Sequence, residues 1–87
     1  MENSHYVYIL KCNDGSLYTG YTNNLEQRLA KHESGKGAKY TRGRGPFELA
    51  YWESFVTKTA AMRKDFQIKR LSRTKKEALI ALKGEGD

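Results

Sequence analysis

Residues 5–12, HYVYILKC, constrain the fold more than any other stretch. Tyr6, Tyr8 and Leu10 alternate with Val7 and Ile9, so a strand here is apolar on both faces and must be covered from both sides. A chain of 87 residues has room for one small core to do this. Asn13-Asp14-Gly15-Ser16 follows, and Asp-Gly is a strong hairpin signal. Residues 16–22, SLYTGYT, then return as a second strand. A tight turn at Asp14-Gly15 sets Tyr8 opposite roughly Thr22 and Tyr18 opposite Leu10 or Lys11. That makes Tyr8 and Tyr18 diagonal neighbours on one face. Gly20 inside the second strand signals close backbone approach or the end of regular pairing.

Asn23 or Asn24 supplies an N-cap for a helix over LEQRLAKHES, with Glu26 favoured by the dipole in its first turn and Gly35 as its stop. Leu25 and Leu29 face the core at i,i+4. GKGAKYTRGRGP, residues 35–46, reads as a loop rich in Gly, Lys and Arg, and long loops in small domains are often functional. FELAYWESF, residues 47–55, reads as a third strand. Thr57 or Thr59 caps a helix over AAMRKDFQIKRL, and Ser72 or Thr74 begins a last helix, KKEALIALK, closed by Gly84. The order β-β-α-β-α-α predicts an α+β fold, a three-stranded antiparallel sheet with helices packed against it. One domain spans 1–87, with a core of about 5–82 and a frayed GEGD end.

Sixteen Lys and Arg oppose ten Asp and Glu, for a net charge of +6. A small basic domain points to a polyanion partner, of which nucleic acid is the commonest; the plain alternative is a basic, well-solvated surface. The mean hydropathy of -0.81 reflects charges rather than low complexity. Cys12 is the single cysteine, so an internal disulfide is excluded and a reducing compartment is expected. No CxxC or Cys/His grouping suits structural zinc. MENSHYVYIL lacks the basic and long apolar regions of a signal peptide. No apolar stretch approaches the ~20 residues that span a bilayer. The expected location is the cytoplasm, with no membrane partner.

Several side chains invite a chemical reading. Arg28 and His32 stand at i,i+4 on one helix face, one step after Asn24. Asp65 falls on the apolar arc of the second helix, between Ala61 and Met62, where a carboxylate is out of pattern. A buried carboxylate there needs a cation, a metal or donors, and the plain alternative is an i,i+4 pair with Lys69. Tyr8 and Tyr18 serve equally well as core aromatics, Arg28 as a solvated helix residue, and His32 as a structural histidine. Lys36, Lys39, Arg42 and Arg44 read as a phosphate-tracking loop or as simple solubilising charge.

Taken together, YVY at Tyr6-Val7-Tyr8, YTG at Tyr18-Thr19-Gly20 ten residues on, NL at Asn24-Leu25, Arg28 and His32 resemble the GIY-YIG nuclease superfamily. Asp65 within AAMRKDFQIKRL stands where members carry Glu. The resemblance covers residues 5 to about 71. GKGAKYTRGRGP and IKRLSRTKKEALI are similar to a small single-domain bacterial group, YhbQ/YazA-like, and RGRGPFEL is similar to eukaryotic structure-specific nuclease subunits of the Slx type.

The resemblance implies a metal-dependent endonuclease acting on DNA by structure or with little sequence preference. It implies one divalent cation, Mg²⁺ or Mn²⁺, held by Asp65, with Tyr8 and Tyr18 beside the attacking water, Tyr8 preferred as base. A free tyrosine has a pKa of about 10, so such a base needs help from nearby positive charge. Arg28 offers a fork that fits phosphate oxygens, and His32 a phosphate hydrogen bond or a proton shuttle. Lys36, Lys39, Arg42 and Arg44 would track the backbone. Three positions depart from the family pattern: Tyr6 for Gly, Tyr21 for a Lys of the excision-repair members, and Asp65 for Glu. Aspartate is shorter by one methylene, so its carboxylate falls back by roughly 1.5 Å. The alternatives are a nuclease-like module that binds nucleic acid without cutting it, and a subunit that needs a protein partner.

Overall fold

The structure is a computed structural model that describes residues 3–85. Strands β1 (His5–Lys11) and β2 (Leu17–Thr22) precede helix α1 (Leu25–Glu33). A one-turn 3₁₀ segment, Lys39–Thr41, lies in the basic loop, followed by β3 (Glu48–Phe55), α2 (Lys58–Lys69) and α3 (Arg73–Glu85). The sheet runs β2-β1-β3 and is antiparallel throughout. This is the α+β, β-β-α-β-α-α arrangement that the sequence predicts.

The doubly apolar strand is the central one. Val7 and Ile9 meet Tyr51 of β3 and Ala61 and Ile68 of α2, with Leu79 and Ile80 of α3 packed alongside. On the opposite face Tyr8 and Leu10 are buried as well. Burying such a side chain stabilises by roughly 1.5–3 kcal/mol, so four in a row make β1 the organiser of both layers.

The hairpin register differs from the expected one. Tyr8 pairs with Gly20 rather than Thr22, while Tyr18 pairs with Leu10 as expected. The cause is the turn chemistry. Cys12 N–H donates to the Ser16 carbonyl at 2.8 Å, and the Asp14 carboxylate accepts from Ser16 N–H at 3.0 Å and from its hydroxyl at 2.6 Å. This Asx arrangement centres the turn on Asp14 instead of on the Asp14-Gly15 bond.

Asn24 is the N-cap of α1, its side chain accepting from Gln27 N–H at 3.1 Å, and Thr57 caps α2. The Thr22 hydroxyl accepts from Asn24 N–H at 3.1 Å. The last residue of β2 is thereby fastened to the first turn of α1, which fixes where Arg28 and His32 fall relative to the sheet. Ser72 precedes α3, its hydroxyl accepting from Lys75 N–H at 3.3 Å. Gly84 does not close α3, which continues to Glu85. No helix among the described residues is long and apolar enough to cross a membrane.

Candidate active site

Strand alternation puts Tyr8 and Tyr18 on the sheet face opposite Val7 and Ile9, and α1 lays His32 over them. Tyr8 Oη and His32 Nε2 are 2.9 Å apart. The two tyrosine rings are 6.3 Å apart between centroids, and His32 lies 5.9 Å from Tyr8 and 5.4 Å from Tyr18, edge-on to each. Phe47 closes a fourth side at 6.0 Å. Gly20 makes the arrangement possible. A Cβ there would stand 2.6 Å from Tyr8 Oη and 2.7 Å from its Cζ, so only a residue without a side chain lets the phenol cross β2.

The direction of the Tyr8–His32 hydrogen bond follows from Thr41. Its hydroxyl donates to the Ala38 carbonyl at 2.8 Å, which uses its only proton. The 2.9 Å contact between His32 Nδ1 and Thr41 Oγ1 must then be a donation from Nδ1–H. Nε2 is left bare and accepts the Tyr8 proton. Burial, followed by the nearby Arg28 charge, holds the His32 pKa below its ordinary 6.5, with Glu33 opposing, so the ring is neutral near pH 7.

The Arg28 guanidinium stands beside the Tyr8 and Tyr18 hydroxyls, and Tyr8 above all raises its pKa. The reverse influence is weaker than the sequence reading requires. Burial pushes the Tyr8 pKa up to about 12, outweighing the lowering by Arg28, and Tyr18 and Asp65 push the same way. The expectation of a tyrosine whose pKa is lowered by positive charge is therefore corrected: enclosure costs a phenolate more than one guanidinium returns. On its outer side Arg28 lines an open cleft of about 330 Å³ with Asn23, Gln27, Lys31 and Lys58.

Asp65 reaches this group from a different element, near enough for its charge to bear on Tyr8. It belongs to the buried row of α2 with Ala61 and Ile68, which packs on the face of Val7 and Ile9. Lys69 Nζ is 3.1 Å from Oδ2, the i,i+4 pair the sequence allows. Asp65 Oδ1 is buried without a hydrogen-bond partner, as is Thr19 Oγ1 of β2. Among the described residues no three His, Cys, Asp or Glu side chains gather into a metal cage. One carboxylate with an orphaned oxygen does fit a Mg²⁺-type ion that draws its other ligands from water and phosphate.

The basic loop divides. Lys36, Lys39 and Arg42 are exposed. Arg44 is tied back to the hairpin instead: its side chain pairs with Asp14 and its carbonyl accepts from Asn13 N–H at 2.7 Å. Sequence reasoning missed Thr41 and Gly37, because a Thr and a Gly among Lys, Arg and other Gly residues carry no periodic signal. It also missed Lys31, which the i,i+3 spacing from Arg28 would have flagged.

Residues 4–78 match the family model of the GIY-YIG catalytic domain. A UPF0213 protein of Oceanobacillus iheyensis is 62% identical over 92% of this chain and 93% of its own length. One from Natronomonas pharaonis is 58% identical over 93% and 95%. The solution NMR structure of a UPF0213 protein from Bacillus halodurans is similar with a TM-score of 0.63 and 61% identity, covering 92% of this chain and 85% of that one. An NMR structure of a protein from E. faecalis is similar with a TM-score of 0.64 and 44% identity, over 94% and 90%.

Proposed function

The chain belongs to the GIY-YIG family, and on that premise we propose that it is an endonuclease hydrolysing phosphodiester bonds in DNA, by structure or with little sequence preference. The observation that carries this reading is the directed hydrogen-bond chain from Tyr8 to His32 to Thr41, with Arg28 at its head. A neutral phenol with a pKa of about 12 does not act as a free base near pH 7. It acts as a relay: the attacking water gives its proton to Tyr8 Oη as the Tyr8 proton passes to His32 Nε2, leaving an imidazolium whose Nδ1–H stays on Thr41. The low His32 pKa opposes this step in the free protein, and the negative phosphate offsets it once bound.

Arg28 supplies a permanent cation for the phosphoryl oxygens. Tyr8 has no exposed surface in the free chain. A phosphate drawing the guanidinium toward the cleft uncovers the hydroxyl that Arg28 stands beside. Tyr18, whose hydroxyl also lies against Arg28, orients the water. A divalent cation, Mg²⁺ or Mn²⁺, held by Asp65 would supply charge stabilisation to the leaving oxygen. Lys36, Lys39 and Arg42 meet the flanking backbone, with Lys31 and Lys58 nearer the cleft. Cys12, a buried free thiol, is in keeping with a reducing cytoplasm.

The test is cleavage of single-stranded, duplex, flapped and four-way DNA in Mn²⁺, with Tyr8→Phe, Asp65→Ala and Asp65→Glu alongside. Cleavage lost in Tyr8→Phe and Asp65→Ala, and kept or raised in Asp65→Glu, is the expected result. The pairing of Asp65 with Lys69 favours a second reading, a binding module of nuclease fold. DNA binding without cleavage by any form would select it, and activity only on addition of another protein would select a subunit.

A further inference from the structure

We propose that Thr41 is a positioning residue that, together with Gly37, fixes the tautomer of His32 so that Nε2 is the ring nitrogen left to take the Tyr8 proton. The proposal deepens the nuclease reading and rests on it for its catalytic consequence, but not for the tautomer itself. Three observations carry it. Thr41 and His32 are each 1% exposed, so water does not substitute for either partner. The Thr41 hydroxyl proton is committed to the Ala38 carbonyl at 2.8 Å, which leaves Oγ1 an acceptor only. Gly37 lies against the same nitrogen, since a Cβ there would stand 2.3 Å from His32 Nδ1.

The loop thus does two jobs. Its exposed cations Lys36, Lys39 and Arg42 face solvent, while Gly37 and Thr41 between them grip the imidazole. A neutral histidine presents one donor and one acceptor, and the opposite tautomer would place a lone pair against Thr41 Oγ1 and an N–H against Tyr8 Oη. The Tyr8 hydroxyl would then have no acceptor for its proton, and the relay would stop at its first transfer. Loop conformation and proton transfer are coupled through one hydroxyl.

The experiment is ¹⁵N-resolved NMR of the His32 ring on the full chain near neutral pH, with cleavage rates measured in parallel. The expected wild-type spectrum has Nδ1 protonated and Nε2 bare, and Thr41→Ser preserves it. Thr41→Val, which removes the acceptor at nearly constant volume, shifts the ring toward the other tautomer. Cleavage then falls by about a hundredfold, the lower end of a general-base contribution, while Thr41→Ser retains it. A wild-type ring protonated on Nε2 overturns the proposal, even if no variant folds. So does a Thr41→Val ring with an unchanged tautomer, whatever happens to the rate. If the tautomer shifts as expected but no form cleaves DNA, the positioning stands and the nuclease reading fails.

Discussion

The Tyr8 hydroxyl donates to Nε2 of His32 across 2.9 Å, joining residues 24 positions apart in the chain. The bond spans β1 and α1, and its direction is set by neither partner but by Thr41 behind the ring. A hydrogen bond whose polarity is imposed from a third residue is a ready path for a proton.

Gly20→Ala places a Cβ 2.6 Å from Tyr8 Oη and 3.0 Å from a Tyr18 ring carbon. Overpacking of this kind costs about 1–3 kcal/mol, and a displacement of about 1 Å at reacting groups costs about a hundredfold in rate. We expect a folded, destabilised protein with cleavage reduced at least that far, measured by thermal melting and single-turnover assay. Wild-type cleavage in Gly20→Ala would show that the Tyr8 position does not matter.

Tyr8→Phe keeps the ring and removes the proton donor. Cleavage is expected to fall by about 10²–10⁴-fold, the usual weight of a positioned acid or base. His32 Nε2 is then buried without a partner, which costs about 1–3 kcal/mol of stability. DNA affinity, measured by fluorescence anisotropy, should be unchanged.

Acid stability reports on His32. Its folded-state pKa lies below the ordinary 6.5, through burial first and Arg28 second, with Glu33 opposing. Tyr8, Tyr18, Phe47 and Thr41 face the ring from the other elements packed against it. The unfolded chain therefore binds this proton more readily. The stability that His32 contributes is fully present above pH 6.5 and is lost as pH falls through the lower folded-state value. The unfolding free energy from urea titration should fall as pH drops below 6.5, by at most about 1.4 kcal/mol per pH unit for one proton. His32→Phe should flatten that slope, and an unchanged slope would place the titration elsewhere.

Asp65→Leu separates stability from function. Asp65 is 5% exposed, in a row with Ala61 and Ile68, and one oxygen lacks a partner. Its partner Lys69 is 55% exposed, so removing the carboxylate relieves a desolvation cost and leaves no buried charge behind. We expect an equal or higher melting temperature and no cleavage. A strongly destabilised Asp65→Leu would mean that the carboxylate is structural.

Salt dependence sorts the loop cations. Lys39→Ala or Arg42→Ala should weaken DNA binding uniformly and reduce the salt slope by about one. Arg44→Ala breaks an exposed pair with Asp14, which solvent screens, and should change the slope least. Equal slopes for all three would mean that Arg44 leaves Asp14 when DNA binds.

The elements were legible because each carries its own signal. The doubly apolar run found β1, and the candidates Asn24, Thr57 and Ser72 were correct capping positions. Tyr8, Tyr18, Arg28 and His32 could be assembled from strand and helix spacing plus family resemblance. The register was not legible, since Asp14-Gly15 suits both a two-residue turn and the longer Asx-braced one that forms. The direction of the Tyr8 pKa was not legible either. It depends on enclosure by Tyr18, His32 and Arg28, which are remote in sequence or set by the helix angle. Thr41 escaped because a loop hydroxyl acquires meaning only through what it touches.

The turn centred on Asp14 also bears on how a gene for this domain can vary. Side chains alternate along β2, so a single inserted codon that propagates into the pairing exchanges its two faces. Tyr18 would turn toward α2 and Leu17 toward His32, and the layer built for chemistry and the layer built for cohesion would trade residues at once. Length changes in this turn are tolerable only in pairs or when absorbed before Leu17. The interval between the two tyrosines is thus under a rule of parity, imposed by the geometry of a pleated strand rather than by the reaction.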